Sequence, residues 1–166
     1  AVAVREGLTK KPWFLHQLLD YFCAYAPYPP GEGDDPQEMI EVIRTLLELY
    51  PKAAGVPVPA DKLWTDEDPH IFLVYPLHLA CYNYKMPNEV IELLLEKSTA
   101  GLDRMLVIYE GVIEWCGSTE VAGTPLHYAL YWGKGDLKDV AIVKRLVEAC
   151  PDALMMKDMT THGLTP

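Results

Sequence analysis

One apolar pattern occurs three times in this chain, in residues 42–48, 90–96 and 142–148. In each copy the apolar residues stand at positions i, i+1, i+4 and i+5, which places them on one side of an α-helix. A helix with a single apolar stripe is stable only when that stripe is buried against a neighbour. Three equivalent helices therefore predict three equivalent neighbours, and this requirement constrains the fold more than any other feature of the sequence.

A shorter apolar segment precedes each of these helices and is also predicted to be helical. The three predicted first helices are residues 12–26, 76–84 and 125–132. Each has a proline at its start, where the missing N–H is not needed and the fixed φ suits the first helical turn. Pro51 and Pro151 follow two of the second helices and should end them, because the residue before a proline avoids the α region. The chain is thus predicted to form three helix–turn–helix units.

A second motif repeats within the first helices. Residues 123–129 read GTPLHYA, residues 75–80 read YPLHLA, and the pair Thr165-Pro166 repeats the start of this motif. Together with the second-helix pattern, these strings resemble the T-P-L-H-x-A signature of ankyrin repeats. The motif residues are Pro76, Leu77, His78 and Ala80 in one copy and Thr124, Pro125, Leu126, His127 and Ala129 in the other.

The resemblance implies an all-α fold, an ankyrin-like helical solenoid of about three helix–turn–helix repeats and the start of a fourth, with β-hairpin loops. A single domain, residues 1–166, would contain repeats at 12–54, 75–103 and 122–158, and a truncated fourth repeat from residue 163. We expect these residues to be a fragment of a longer protein. A helical solenoid of the tetratricopeptide or armadillo kind is the alternative fold.

The spacing of the repeats departs from the family, whose repeat is about 33 residues long. Equivalent residues of this chain are further apart than that, and insertions at 55–74 and 101–122 account for most of the excess. Residues 105–115 are predicted to form a β-hairpin with Glu110-Gly111 at its turn, because β-branched runs flank this pair. Insertions on one face of a solenoid are often its binding face.

The histidines of the motif have a structural role in the ankyrin family, where the ring hydrogen-bonds loop backbone and links adjacent repeats. The resemblance implies this role for His78 and His127, and it extends to His16. A catalytic histidine needs a nucleophile or a paired carboxylate beside it. No such arrangement, phosphate-binding glycine loop or zinc-ligand spacing is visible in the sequence. We therefore predict no enzymatic activity, no catalytic residues, no cofactor and no metal site.

Aromatic residues are the main predicted partner-binding residues. By resemblance, the two positions after the histidine motif vary within the family and face its concave groove. Large amphipathic aromatic side chains are frequent hot spots of binding, although packing beneath the insertions is the alternative for these residues. The candidates are Tyr82, Tyr84, Tyr131 and Trp132 on the first helices, and Tyr109, Glu110 and Trp115 on the predicted hairpin.

The acidic composition narrows the class of partner. The formal net charge is −10, whereas a nucleic-acid partner requires clustered Lys and Arg. No apolar run approaches the roughly 20 residues of a membrane-spanning helix. The four cysteines are widely separated, which favours a reducing intracellular compartment. We predict no nucleic-acid partner and no membrane insertion, and we expect the acidic loops at 32–35 and 66–68 to attract basic surfaces of a partner.

These features together predict a non-catalytic module or scaffold that binds other proteins through a concave surface of hairpin tips and first-helix aromatics. A permanent structural subunit of a larger protein assembly is one alternative. A regulatory repeat domain attached to an enzyme outside this chain is the other.

Overall fold

The structure is a computed structural model of the chain. It describes residues 13–25, 36–59, 73–83, 86–104, 106–108, 121–131, 139–157 and 165–166. The described residues are mostly helical, in agreement with the helical fold class expected from the sequence. Their six α-helices are α1 (Phe14–Tyr25), α2 (Pro36–Leu49), α3 (Pro76–Tyr82), α4 (Asn88–Lys97), α5 (Pro125–Tyr131) and α6 (Val140–Ala149).

The helices end where the sequence provides a local reason. α2 ends at Leu49 and α6 at Ala149, and in each case a short 3₁₀ helix begins two residues later, at Pro51–Gly55 and Pro151–Met155. The predicted helix ends before the two prolines are therefore confirmed. α3 is shorter than predicted, because Asn83 has an extended backbone with φ −77° and ψ 108° and ends the helix at Tyr82.

The six helices form three helix pairs that pack in two rows. Unit 1 contains α1 and α2, unit 2 contains α3 and α4, and unit 3 contains α5 and α6. In the first row α1 packs on α3, which packs on α5; in the second row α2 packs on α4, which packs on α6. Each unit therefore contacts the next through both of its helices.

The apolar stripes of the second helices form the core between the units. Ile43 and Leu47 of α2 are fully buried, as are Leu94 of α4 and Leu146 of α6. Burial of these large aliphatic side chains is the main source of stability, at about 2 kcal/mol for each. Adjacent units thus supply much of the burial that the repeated pattern requires, although Val42 of α2 is 47% exposed.

Short antiparallel strand pairs stand between the units. β1 (Val58–Pro59) pairs with β2 (Leu73–Val74), and β3 (Leu106–Ile108) pairs with β4 (Val121–Gly123). In both links, a single residue separates the second strand from the proline that begins the next first helix. That proline restricts the preceding residue to extended conformations, so the segment in front of each first helix is suited to strand pairing.

The pairing of β3 corrects the predicted hairpin at residues 105–115. Residues 106–108 form a strand as expected, but they pair with residues 121–123, with Val107 opposite Ala122. A tight turn at Glu110-Gly111 would instead pair this strand with residues 113–115. The predicted turn and the residues that follow it up to 120 lie outside the described residues.

No helix within the described ranges has the length and apolar character needed to cross a lipid bilayer.

Candidate functional site

In units 1 and 2, a histidine of the first row connects the unit to the backbone that follows it. In unit 1, Nε2–H of His16 donates to the carbonyl oxygen of Val74, in β2, at 2.9 Å. In unit 2, Nε2–H of His78 donates to the carbonyl oxygen of Arg104, which lies between α4 and β3, at 2.8 Å. A carbonyl only accepts, so the proton must lie on Nε2 in both rings. These bonds hold the links between units against the first-row helices.

The third motif histidine forms a closed hydrogen-bonded ring with Thr124. The backbone N–H of Thr124 donates to Nδ1 of His127 at 3.2 Å, and the Thr124 hydroxyl lies 2.8 Å from the same nitrogen. Since Nδ1 accepts in the first bond, the hydroxyl donates in the second. The backbone N–H of His127 in turn donates to the threonine oxygen at 3.4 Å. The threonine thereby satisfies backbone groups at the start of α5.

Gly123 precedes this ring because no side chain fits there. A Cβ atom added at Gly123 would lie 2.6 Å from Cβ of His127. The packing of the histidine against the turn therefore requires a residue without a side chain. This contact gives a physical reason for the glycine that precedes the T-P-L-H string in the third unit.

Unit 2 differs from unit 3 at the positions equivalent to Gly123 and Thr124. Tyr75 replaces the threonine, and its ring lies 5.8 Å from the ring of His78, inclined at 48°. A tyrosine hydroxyl at the end of a ring cannot reach back to Nδ1 as a threonine does. Nδ1 of His78 is buried, and within the described part of the chain no hydrogen-bond partner lies near it.

Burial lowers the pKa of His78. Desolvation of the buried ring is the larger effect and takes the pKa from 6.5 to about 4, while the hydrogen bond to the Arg104 carbonyl opposes this change. His78 is therefore neutral at pH 7, with one nitrogen used to position the link after α4. A ring in this state is suited to holding backbone in place.

The low pKa of His78 predicts that acid destabilises the protein. The unfolded ring binds a proton below pH 6.5, whereas the folded ring binds it only below about pH 4. The contribution of His78 is fully present above pH 6.5 and is lost as the pH falls between these values, by up to about 3 kcal/mol. Urea unfolding at pH 7.5 and pH 4.5 measures this loss.

The variant His78→Gln provides the control, because a glutamine N–H can still donate to the carbonyl but does not titrate. Carboxylates titrate equally in both proteins, so their effect cancels in the comparison. When the pH falls from 7.5 to 4.5, the free energy of unfolding of the unsubstituted protein should decrease by about 2 kcal/mol more than that of the variant. Equal losses of stability in the two proteins would show that protonation of His78 does not cause the destabilisation by acid.

An aromatic cluster lies where α3 meets α5. Tyr128 is fully buried, with its ring edge-on to that of Tyr82 at 5.4 Å and 89° and to that of His78 at 6.4 Å and 78°. Desolvation raises the pKa of the Tyr128 hydroxyl well above its ordinary value, with a smaller opposing effect from a backbone hydrogen bond with Gly123. This neutral, buried ring joins the second and third units of the first row.

Among the predicted partner-binding residues, the structure describes the side chain of Tyr82 alone. Tyr82 is half-buried at the end of α3, and its ring packs at a right angle against that of Tyr128. Tyr131 is the last residue of α5, and its side chain is outside the description. The remaining candidates also lie outside the described residues: Tyr84, Tyr109, Glu110, Trp115 and Trp132.

The motif residues are all buried in the first row. Pro76 and Pro125 are the first residues of α3 and α5. The nine residues concerned are Pro76, Leu77, His78, Ala80, Thr124, Pro125, Leu126, His127 and Ala129.

Sequence reasoning missed two features of this region. Tyr128 occupies the variable position of the motif, yet it is the central ring of the aromatic cluster. Arg44 of α2 forms an ion pair with Glu89 of α4 and so joins units 1 and 2 at the surface. The second contact joins the second half of α2 to the first turn of α4, and the positions of the two residues in their helices did not predict it.

The described residues contain no group of three or more His, Cys, Asp or Glu side chains close enough to hold a metal ion.

No protein-family model, curated protein sequence or solved structure matches this chain at a significant level. The ankyrin resemblance therefore depends on the sequence motifs that carry it.

Proposed function

We propose that this chain is an ankyrin-like solenoid that acts as a non-catalytic module for binding other proteins. One observation carries the proposal: three helix pairs stack in two rows, and histidines of the first row hydrogen-bond the backbone that leads to the next unit. Such stacking presents a rigid, extended surface, and repeat proteins use surfaces of this kind to bind partners.

The proposed contact surface is formed by the C-terminal ends of the first-row helices α3 and α5. Tyr82 and Tyr131 are the last residues of α3 and α5, two helices that pack against each other. Equivalent positions on adjacent units thus both carry tyrosine, a residue enriched in binding hot spots. The half-buried ring of Tyr82 is held in one orientation by Tyr128, so little side-chain entropy is lost when a partner covers it.

The negative charge of the chain supports a partner with a basic surface. The net charge of −10 creates a field that accelerates the approach of a positively charged protein. Charge of this kind acts mainly on the association rate and on the choice of partner, while a few aromatic contacts set the affinity. Association should therefore slow as salt concentration rises.

Site-specific photocrosslinking in the native cell extract tests the proposed surface. A photoreactive amino acid replaces Tyr82 in one protein and Glu92, which is exposed on α4 in the second row, in the matched control. We expect a discrete protein adduct from position 82 that is absent from position 92 and is reduced by Tyr131→Ala. Adducts of equal yield at both positions, or none at position 82, would contradict the proposal.

A further inference from the structure

The position four residues after each first-row histidine differs in chemistry between the units. It carries Asp20 in unit 1, Tyr82 in unit 2 and Tyr131 in unit 3. These positions are equivalent, because α1, α3 and α5 all begin two residues before their histidine. Unit 1 therefore has a carboxylate at the place where the other two units have a tyrosine.

The hydrogen bonds of the histidines support this alignment for units 1 and 2. In both units Nε2–H of the ring donates to a carbonyl oxygen of the backbone that leads to the next unit, that of Val74 or that of Arg104. The helices α1 and α3 also pack directly on each other. Asp20 and Tyr82 thus lie at matching places on adjacent helices, and both side chains are half-buried.

The separation of the two helices suits a single cation between these side chains. Equivalent positions of packed helices are roughly 10 Å apart. A cation is attracted by an aromatic ring within about 6 Å of the ring centroid, and it pairs with a carboxylate within about 4 Å. One positively charged group can therefore contact Asp20 and Tyr82 at the same time.

The charge of the first-row helices favours a cation from outside them. Asp20 is the only Asp, Glu, Lys or Arg residue of α1, α3 and α5. Each second-row helix, in contrast, has at least one basic residue: Arg44 in α2, Lys97 in α4, and Lys144 and Arg145 in α6. A positively charged side chain that reaches the first row therefore meets a carboxylate and aromatic rings, with no lysine or arginine of these helices to repel it.

The contact with Tyr128 leaves the Tyr82 ring suited to such a cation. The two rings are perpendicular, at 89°, and their centroids are 5.4 Å apart. A perpendicular contact uses at most one face of a ring, and the face is the part that attracts a cation. Because the contact also holds Tyr82 in place, little side-chain entropy is lost when a ligand binds.

Arginine matches this pair of groups better than lysine does. Its guanidinium group is planar, so it can stack on an aromatic face while its N–H groups donate to a carboxylate. The lysine ammonium is compact and strongly hydrated, so it gains less from the ring. A neutral side chain would lack the charge that both groups attract.

We propose that Asp20 and Tyr82 together bind an arginine side chain of the partner protein, with the guanidinium group between the carboxylate and the tyrosine ring. This inference rests on the proposed function, because it specifies the chemistry of the partner at the surface that contains Tyr82. Asp20 would select a partner with an arginine at this place, and the ring of Tyr82 would contribute to the affinity.

A titration with N-acetyl-arginine methylamide, followed by NMR spectroscopy of the Tyr82 ring, tests the site without the partner. The matched probes are the lysine analogue and the citrulline analogue, which has nearly the same shape as arginine and no charge. We expect the arginine probe to bind more tightly than the lysine probe, and about fivefold more tightly than the citrulline probe. Tyr82→Leu should weaken its binding, whereas Tyr82→Phe, which keeps the ring face, should not.

Charge variants identify the carboxylate. Asp20→Asn should weaken the binding of the arginine probe by about fivefold, the effect of one ion pair near the surface. Glu92→Gln removes the same charge from an exposed position of the second row, and it should leave the binding unchanged. In the native cell extract, Asp20→Asn should also reduce the adduct from position 82, and Glu92→Gln should not. The comparison of probes needs no variant, so it tests the charge requirement even if Asp20→Asn does not fold.

The outcomes separate this inference from the proposed function. Equal binding of the arginine probe and either analogue, or equal effects of Asp20→Asn and Glu92→Gln, would overturn the inference. If the adduct from position 82 still formed, the proposed function would stand with a partner of different chemistry. Absence of that adduct would contradict the proposed function itself, and it would remove the partner on which the inference rests.

Discussion

Replacement of Tyr128 by alanine is expected to lower the free energy of unfolding by about 4 kcal/mol, the usual cost of removing a large aromatic ring from a core. Tyr128 is fully buried, and its ring contacts Tyr82 and His78 of the preceding unit. The cavity would lie between α3 and α5, so the substitution weakens the contact between units 2 and 3 as well as the core. Chemical denaturation followed by circular dichroism measures the change.

The variant Tyr128→Phe separates the ring from the hydroxyl. It retains both ring contacts and removes the hydrogen bond between the hydroxyl and the Gly123 backbone, so it should cost about 1 kcal/mol. If Tyr128→Ala cost no more than Tyr128→Phe, the ring would not be packed between the two units and this part of the account would be wrong.

Gly101→Ala is the second substitution with a large expected effect, about 3 kcal/mol. Gly101 has φ +90°, and a Cβ atom added there would lie 2.6 Å from Cγ of Tyr75 and 2.8 Å from its Cβ. Alanine would therefore combine backbone strain with a clash against atoms that cannot move away easily. Equilibrium unfolding in urea measures the loss.

The effect of Gly101→Ala should also reach the histidine of unit 2. The backbone N–H of Arg104 donates to the Gly101 carbonyl at 3.1 Å, and this turn places the Arg104 carbonyl against His78. Hydrogen–deuterium exchange should consequently become faster in residues 101–104.

Gly55→Ala is the matched control for this substitution, since Gly55 has no positive φ and its added Cβ would meet the movable hydroxyl of Ser98 first. The control should cost roughly 1 kcal/mol. Equal effects of the two alanines would show that neither the strained backbone nor Tyr75 makes residue 101 special.

The helices could be predicted from the sequence because their signals are local. The apolar stripe of a second helix and the proline beyond it lie within one segment, and both act on that segment whatever surrounds it. Pro51 and Pro151 accordingly mark the ends of α2 and α6 to within two residues. The end of α3 was less predictable, because no proline or glycine follows Tyr82 directly.

The partner of strand β3 could not be predicted in the same way. Residues 106–108 are suited to any antiparallel neighbour, and the choice between residues 113–115 and 121–123 depends on where α5 lies. Register is set by the burial of one strand face and by the connection, and both depend here on contacts between units. A nearby Gly-containing turn was therefore a weaker determinant than the extended segment before Pro125.

The candidate site was predictable only in part, because aromatic residues suit both cores and interfaces. Tyr82 serves as an example, since it is half-buried and its ring also packs at a right angle against that of Tyr128. The role of Tyr128 was hidden by its place at the variable position of the motif. Within the described residues, Nδ1 of His78 has no hydrogen-bond partner, because Tyr75 replaces the threonine with a residue that cannot cap the ring.

Distances between spin labels on the second row test the stacking of the three units most directly. Glu48, Glu96 and Glu148 are exposed at equivalent positions of α2, α4 and α6, and labels attached through unnatural amino acids leave the four native cysteines unchanged. Packed helices are separated by roughly 10 Å, so the 48–96 and 96–148 distances should be similar and the 48–148 distance should approach their sum. A 48–148 distance no longer than either of the other two would contradict the ordered stacking of the units.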